Sequence, residues 1–215
     1  NLQEPLKTIE QLLILLNEEG VETSKENTQE IYSRIRRASF HMSKLIKDLL
    51  VFSGLGKKPS LTEVDCNKSL AIVKESLKAL LEENRAEINV VGHLPTLHLF
   101  EMEFQVLLQN LLDNAIKFHR PNVNPIITIK AEKRESDYLF SIQDNGIGIE
   151  EKFMDKLFLM FQRFQNNKDF PGNGIGLAHC RKVIDIFGGT IWVESIFGEG
   201  TTFFFTIPNE IKEPL

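Results

Sequence analysis

The spacing of apolar residues changes character between Gly54 and Pro59, and no other feature of the sequence constrains the fold as strongly. Before it, Leu2, Leu6, Ile9, Leu13 and Leu16 alternate steps of four and three, which sets them along one seam of an α-helix. Gly20 and the polar run Glu22 to Asn27 interrupt that seam. It resumes with Ile31, Ile35, Ala38, Met42, Leu45, Leu49 and Phe52 and stops at Gly54-Leu55-Gly56-Lys57-Lys58-Pro59. Residues 1–56 therefore read as an antiparallel helical hairpin. Such a hairpin buries one side of each helix, so a second copy is expected to complete a four-helix bundle, giving a homodimer through residues 1–56. The alternative is packing of the hairpin on its own downstream domain.

Beyond Pro59 the pattern is mixed. An extended piece, Leu61 to Asp65, precedes one amphipathic helix carrying Leu70, Val73, Leu77 and Leu80, and a strand is predicted over Ile88–Val91. A helix follows over Glu101–Phe118, then strands over Ile126–Ala131 and Tyr138–Gln143. A long irregular stretch over 145–173 leads to a helix over Ile175–Phe187 and to two last strands, Thr190–Ser195 and Thr201–Ile207, joined by Phe197-Gly198-Glu199-Gly200. The fold class is α+β: a helical hairpin at 1–56, an α/β sandwich with a mixed sheet and helices on one face at 57–208, and a tail at 209–215.

Charge and cysteine usage exclude several partners. The net charge of −5 is spread along the chain with no basic run, which speaks against nucleic acid and anionic membrane surfaces. Cys66 and Cys180 stand far apart, outside any C-x-x-C pair, so a reducing, cytoplasmic setting is expected. No apolar run reaches the ~18–20 residues that span a bilayer, so direct membrane contact is not expected. The chain starts on Asn1 inside a helical pattern, and a sensory domain is expected upstream.

The polar residues at regular spacing carry the chemistry. Asn110, Asn114 and Lys117 stand at i, i+4 and i+7 and project from one helix face, while Leu107, Leu111, Ala115 and Phe118 occupy a neighbouring face expected to enter the core. Amide oxygens can ligate Mg²⁺ without adding negative charge, and an ammonium can meet phosphate oxygens. Asp144-Asn145-Gly146-Ile147-Gly148-Ile149 offers a carboxylate acceptor for the exocyclic amine of adenine and glycines that let backbone approach a ligand. Gly172-Asn173-Gly174-Ile175-Gly176-Leu177 stands just before a helix, where free N–H groups attract phosphate; it lacks the Gly-Lys-Ser/Thr ending of a P-loop. Gly198-Glu199-Gly200-Thr201 brings a hydroxyl able to reach the base directly or through water. Taken singly, each has a plain structural reading as a solvated face or a turn.

In this order the motifs closely resemble the box set of the histidine-kinase ATPase domain. The N box reads LLQNLLDNAIKF at 107–118, the first glycine box DNGIGI at 144–149, the F box FLMFQRF at 158–164, and the second glycine box GNGIGLA at 172–178. Leu2-Gln3-Glu4-Pro5-Leu6 is similar to the tail of an H box, with wording close to phytochrome-like and PAS-linked kinases. The resemblance implies ATP and Mg²⁺ as cofactors, with Asn110 and Asn114 on the metal, Lys117 on phosphate, Phe118 against the nucleotide, Asp144 on adenine and Arg163 near the terminal phosphate. Gly146, Gly148, Gly172, Gly174, Gly176, Leu177 and Thr201 would line the nucleotide, and 150–173 would be its lid, whose phenylalanines dock on the lid's own domain or on the hairpin. It further implies a phospho-accepting His directly before Asn1, a response-regulator receiver domain as partner, and no phosphorylation of this chain by itself.

The same nucleotide fold resembles that of type II topoisomerases, mismatch-repair ATPases and a heat-shock chaperone, so hydrolysis must be weighed against transfer. Those ATPases place a Glu four residues before the magnesium-binding Asn, and here that position is Asn110. An amide is no general base, which favours phosphoryl transfer to a positioned imidazole. None of His41, His93, His98, His119 and His179 has H-box context. Asn1 stands where the family has an acidic neighbour of the acceptor, and Glu4 where strong phosphatases carry Thr or Asn, so slow autophosphorylation and weak phosphatase activity are expected. A non-catalytic nucleotide-binding dimerisation module and an ATP-hydrolysing machine remain as alternatives.

Overall fold

The computed structural model describes residues 3–17, 28–36, 38–39, 60–159 and 174–211. The chain divides into two compact units, Asn1–Lys57 and Lys58–Leu215. In the first, α1 spans Gln3–Asn17, and residues 28–36 and 38–39 are also helical (α2). The expected seam is rotated by part of a turn. Leu12 is buried, Ile9 and Leu16 are half-buried, and Leu13 is 45% exposed, because at 3.6 residues per turn a stripe centred on 9, 12 and 16 leaves position 13 at its margin. The side chains of Leu2 and Leu6, and the seam from Met42 onward, lie outside the described residues.

The second unit is a mixed sheet covered on one face by helices, as the spacing predicts. Its strands are β1 (Thr62–Asp65), β2 (Glu87–Val91), β3 (Thr96–Leu99), β4 (Ile126–Lys133), β5 (Asp137–Asp144), β6 (Ile191–Ile196) and β7 (Gly200–Pro208). Its helices are α3 (Cys66–Ser76), α4 (Lys78–Asn84), α5 (Glu101–Lys117) and α6 (Gly176–Phe187). Five strands run in the order β2-β4-β5-β7-β6, parallel between β2 and β4 and antiparallel elsewhere. On β7, Thr201, Phe203, Phe205 and Ile207 point inward to the helices, whereas Phe204 faces outward and stacks on Trp192 at 5.3 Å. Inside, Phe140 stacks on Phe205 at 4.9 Å and meets the edge of Phe104 at 6.0 Å. Helix α5 has neither Gly nor Pro, carries Glu101 and Glu103 in its first turn and Lys117 in its last, and buries Leu107, Leu108, Leu111, Leu112 and Ile116 completely. At about 1.5–3 kcal/mol for each large side chain, that face holds the helix rigidly in place, which matters because its other face carries the amides.

Three local features depart from the sequence expectation. The helix expected through Leu80 breaks at Leu77 (φ −96°, ψ 3°) into α3 and α4. Ser76 Oγ donates to Val73 O at 2.7 Å, sharing the carbonyl that Leu77 N also uses, and such back-bonding bends helices. Residues 96–99 form β3, paired antiparallel with β1; with four residues behind Pro95, the alternation of Leu97 and Leu99 is too short to stand out. Within the stretch expected to be irregular, Glu151–Lys156 form a 3₁₀ helix.

Candidate functional site

The C-terminal half of α5, the loop after β5, the start of α6 and the β6–β7 turn converge at one end of the sheet. Asp144, Thr201 and Ser195 are direct cross-strand partners on β5, β7 and β6, so their side chains stand in a row on the helix-covered face. Asp144 Oδ1 accepts from Gly146 N at 2.8 Å and from Thr201 N at 3.2 Å. Burial pushes the Asp144 carboxyl up to about 6, partly offset by those two backbone donors. A half-buried carboxylate that takes these two donors on one oxygen presents its other oxygen as an acceptor, and that is the chemistry an exocyclic amine requires.

The backbone closes around it. Gly146 lies so close to Phe118 O that a Cβ would meet it at 2.4 Å, and Ile147 N donates to the same carbonyl at 2.9 Å. Gly148 (φ +68°) lies against Ile196 O, and Gly198 N donates to Ile147 O at 2.7 Å. Ser195 Oγ accepts from Ile149 N at 2.9 Å.

On α5, Asn110 is half-buried with its Nδ2 donating to Val106 O at 2.9 Å, and its Oδ1 lies where a Cβ on Gly176 would come within 2.9 Å. Asn110 thus sits against the first residue of α6. Asn114 is half-buried one turn further. Lys117 Nζ pairs with Asp113 Oδ2 at 2.5 Å, a half-buried i, i+4 pair readable from the spacing once the helix is known. Phe118 corrects the expectation that it enters the core. It caps α5 at φ −90°, ψ 38°, outside the helical turn, and is 37% exposed at the rim of the site. Gly174 and Leu177 are half-buried and flank the buried Ile175 at the start of α6. Phe158 packs edge-on against Phe203 at 6.5 Å and lies partly buried against its own domain's core. Arg163, Gly172, Phe161, Phe164 and Phe170 lie outside the described residues.

Among the described residues no group of three or more His, Cys, Asp or Glu side chains could hold a metal ion; the amide oxygens of Asn110 and Asn114 are donors of a kind that a hard cation accepts. The residues present fit a nucleotide with a divalent cation: a carboxylate acceptor on β5, glycines that let the surrounding backbone close tightly beside it, and amides with an ammonium along α5.

Arg120 and Asn145 were not singled out by spacing. Arg120 Nε donates to Asn145 O at 2.9 Å and its Nη1 to Gly198 O at 3.3 Å; Asn145 in turn accepts from Ile126 N and donates to Asn124 O. One guanidinium thus ties three loops that are distant in sequence, and only the fold reveals it. Arg120→Ala is expected to lower stability by about 1–2 kcal/mol, from the loss of two bonds made by a charged donor that is only half-buried. A thermal melt checks this; an unchanged midpoint would show that the loops hold without it. His119 Nδ1 lies 2.9 Å from Ile116 O, which ties the ring to the end of α5.

Residues 101–211 match the family described as histidine kinase-, DNA gyrase B- and HSP90-like ATPases. The chain is 38% identical over 211 residues to cyanobacterial phytochrome A of Nostoc sp., a match covering 97% of this chain and 27% of that protein. It is 34% identical over 209 residues to the phytochrome-like protein Cph1 of Synechocystis sp., covering 97% and 28%. The chain therefore spans about a quarter of the length of these relatives. Among solved structures, full-length ShkA in complex with AMPPNP superposes with a TM-score of 0.69 at 25% identity, over 91% of this chain and 42% of that one. With the family match running over more than half of its residues, and with the sheet, helices and glycine turns arranged as described, the chain belongs to the histidine kinase-, DNA gyrase B- and HSP90-like ATPase family.

Proposed function

We propose that this chain is the core of a sensor histidine kinase that binds Mg²⁺ and ATP and, in the full-length protein, passes the γ-phosphate to a histidine directly before Asn1 and then to an aspartate of a response-regulator receiver domain. The observation that carries the reading is Asn110. It occupies the place where the hydrolysing members of the family carry a glutamate, and it stands half-buried against α6, with an amide that cannot take a proton from water. Asp144 orients the base, Asn110 and Asn114 hold the cation, and Lys117, steadied by Asp113, meets phosphate. Magnesium, when bound, neutralises charge on the phosphate oxygens. Arg163 and Gly172 are proposed on resemblance alone. The curated relatives named above are a phytochrome and a phytochrome-like protein, and the identity over 97% of this chain supports a place downstream of a sensory domain.

The hairpin at 1–56 is proposed to dimerise, supported by the exposure of Leu13 and Leu15, which widen the apolar stripe of Ile9, Leu12 and Leu16 on its two sides. Full-length protein given ATP labelled on its γ-phosphate should acquire acid-labile, base-stable label. Steady phosphate release without labelled protein would instead mark a hydrolase. Tight ATP binding with neither product would mark the non-catalytic module that Asn1, in place of an acidic neighbour, otherwise suggests.

Asn114→Ala is expected to remove Mg²⁺-dependent ATP binding, with a loss of at least about a hundredfold, since a cation ligand inside a preorganised site is removed. Its oligomeric state should match that of the unaltered chain, because α5 and the hairpin belong to separate units. Titration calorimetry with and without Mg²⁺, beside light scattering, checks both; unaltered affinity would reject the assignment of this face.

A further inference from the structure

Ser195 sits where β6 meets β7, and the donor and acceptor roles around its hydroxyl follow from the chemistry of its partners. Its Oγ lies 2.7 Å from Gly200 O, 2.9 Å from Ile149 N and 3.0 Å from Thr201 Oγ1. The Gly200 carbonyl has no hydrogen, and 2.7 Å is an ordinary O–H···O separation, so the single Ser195 proton lies on that line. Ile149 N–H is a donor by nature. The contact with Thr201 must then carry Thr201's proton, donated to Ser195. What remains on Thr201 Oγ1 is lone pairs.

We propose that Ser195 is a specificity-determining positioning residue: by taking the Thr201 proton it leaves Thr201 Oγ1 as an acceptor only, so that the base-reading end of the site selects a 6-aminopurine nucleotide over a 6-oxopurine one. The assignment rests on the nucleotide-binding reading above and specifies how the base is read. Thr201 and Asp144 are cross-strand neighbours on the same face, and Thr201 N also donates to Asp144 Oδ1. At neutral pH the Asp144 carboxylate is an acceptor too. Two acceptors side by side match the two N–H donors of an adenine amine in direct contact, and oppose the lone pairs of a 6-oxo group, whose burial against them would leave polar atoms unpaired.

The test measures dissociation constants for ATP and for inosine triphosphate, which differ at position 6 of the base and in the N1 proton, on the full 215-residue chain with Mg²⁺. The unaltered chain should prefer ATP. Ser195→Ala frees the Thr201 hydroxyl to rotate and donate, so the ATP-to-ITP preference should narrow by about tenfold, the worth of one buried hydrogen bond. Ser195→Thr, which keeps the hydroxyl, should retain the preference. Thr201→Val should narrow it as Ser195→Ala does, and the double variant should narrow it no further, because Ser195 acts through Thr201. A purely structural Ser195 would lower both affinities together and leave their ratio alone. An unchanged ratio in Ser195→Ala, or additive effects in the double variant, would overturn the assignment while leaving ATP binding intact. If Ser195→Ala does not fold, Thr201→Val decides: the unaltered ratio in that variant rejects the proposal. Absence of ATP binding by the unaltered chain would reject the nucleotide reading itself, and this assignment with it.

Discussion

Asp144→Asn is expected to weaken ATP binding about a hundredfold while raising the thermal stability of the ligand-free chain at neutral pH. The first effect follows from replacing a charged acceptor by an amide: hydrogen bonds to charged groups are worth about 1.5–3 kcal/mol, and an amide that keeps its oxygen on Gly146 N and Thr201 N turns an NH₂ toward the base amine. The second follows from linkage. Burial raises the Asp144 pKa in the folded chain to about 6, above its ordinary carboxylate value of 3.8. Between those two values the folded state holds a proton that the unfolded state has released, so stability falls as pH rises through that window and stays at the lower level above it. An asparagine has no charge to desolvate and avoids that loss.

Binding runs the other way. A base amine needs the ionised carboxylate, so ATP affinity should be level above about pH 6 and decline below it, by up to tenfold per pH unit, with about half a proton released on binding near pH 6 and about one near pH 5. Calorimetry in two buffers of different ionisation enthalpy, from pH 5 to 8, measures the proton directly. Flat affinity across that range, or an Asp144→Asn chain that binds ATP normally, would show that Asp144 does not read the base. A variant that binds poorly but melts higher than the original separates lost recognition from lost folding.

Gly148→Ala should cause the largest loss of stability among single-atom additions at the site, about 3–5 kcal/mol, with loss of ATP binding. Two costs combine there. The backbone sits at φ +68°, where a side chain is disfavoured, and the new Cβ would stand 2.1 Å from Ile196 O and 2.8 Å from Phe197 Cα. Both obstacles are backbone, so neither can swing aside. Relief requires opening the turn that carries Gly198 N onto Ile147 O, and that turn carries Ser195 and Thr201 at its base. Gly198→Ala is the control: φ is +89°, but no atom lies within 4 Å of the added carbon, so only the conformational cost of about 1–2 kcal/mol applies. Denaturant unfolding of the pair, with nucleotide binding by calorimetry, checks the contrast; equal losses would mean that the approach to Ile196 is not tight.

Much of the α+β unit was legible because its elements are long and their periods differ. Helix α5 and strands β4, β5, β6 and β7 lie within a residue or two of their expected ends, with Leu and Ile repeating at helical spacing in the first and alternating residues in the others. The short strands β1 and β2 were legible too, but two other local features were not. Strand β3 has four residues, and the break at Leu77 depends on which carbonyl Ser76 bonds, which no spacing encodes.

The chemistry divides in the same way. Asn110, Asn114 and Asp144 could be selected from the sequence because a helix period or a strand-to-glycine boundary aims a polar residue consistently. Asn110 in place of a glutamate is a statement about identity alone, and it needs no coordinates. What the sequence left open was every relation between segments far apart in the chain. Arg120 meets Asn145 and Gly198 across 25 and 78 residues, Thr201 reaches Asp144 across 57, and the direction of the Thr201 hydroxyl is set by Ser195 and a carbonyl on the same turn. Periodicity reports which way a side chain points relative to its own element. The proton that decides which base is accepted depends on distances between three strands, and strand register arises only when the hydrophobic face of the sheet closes on α5 and α6.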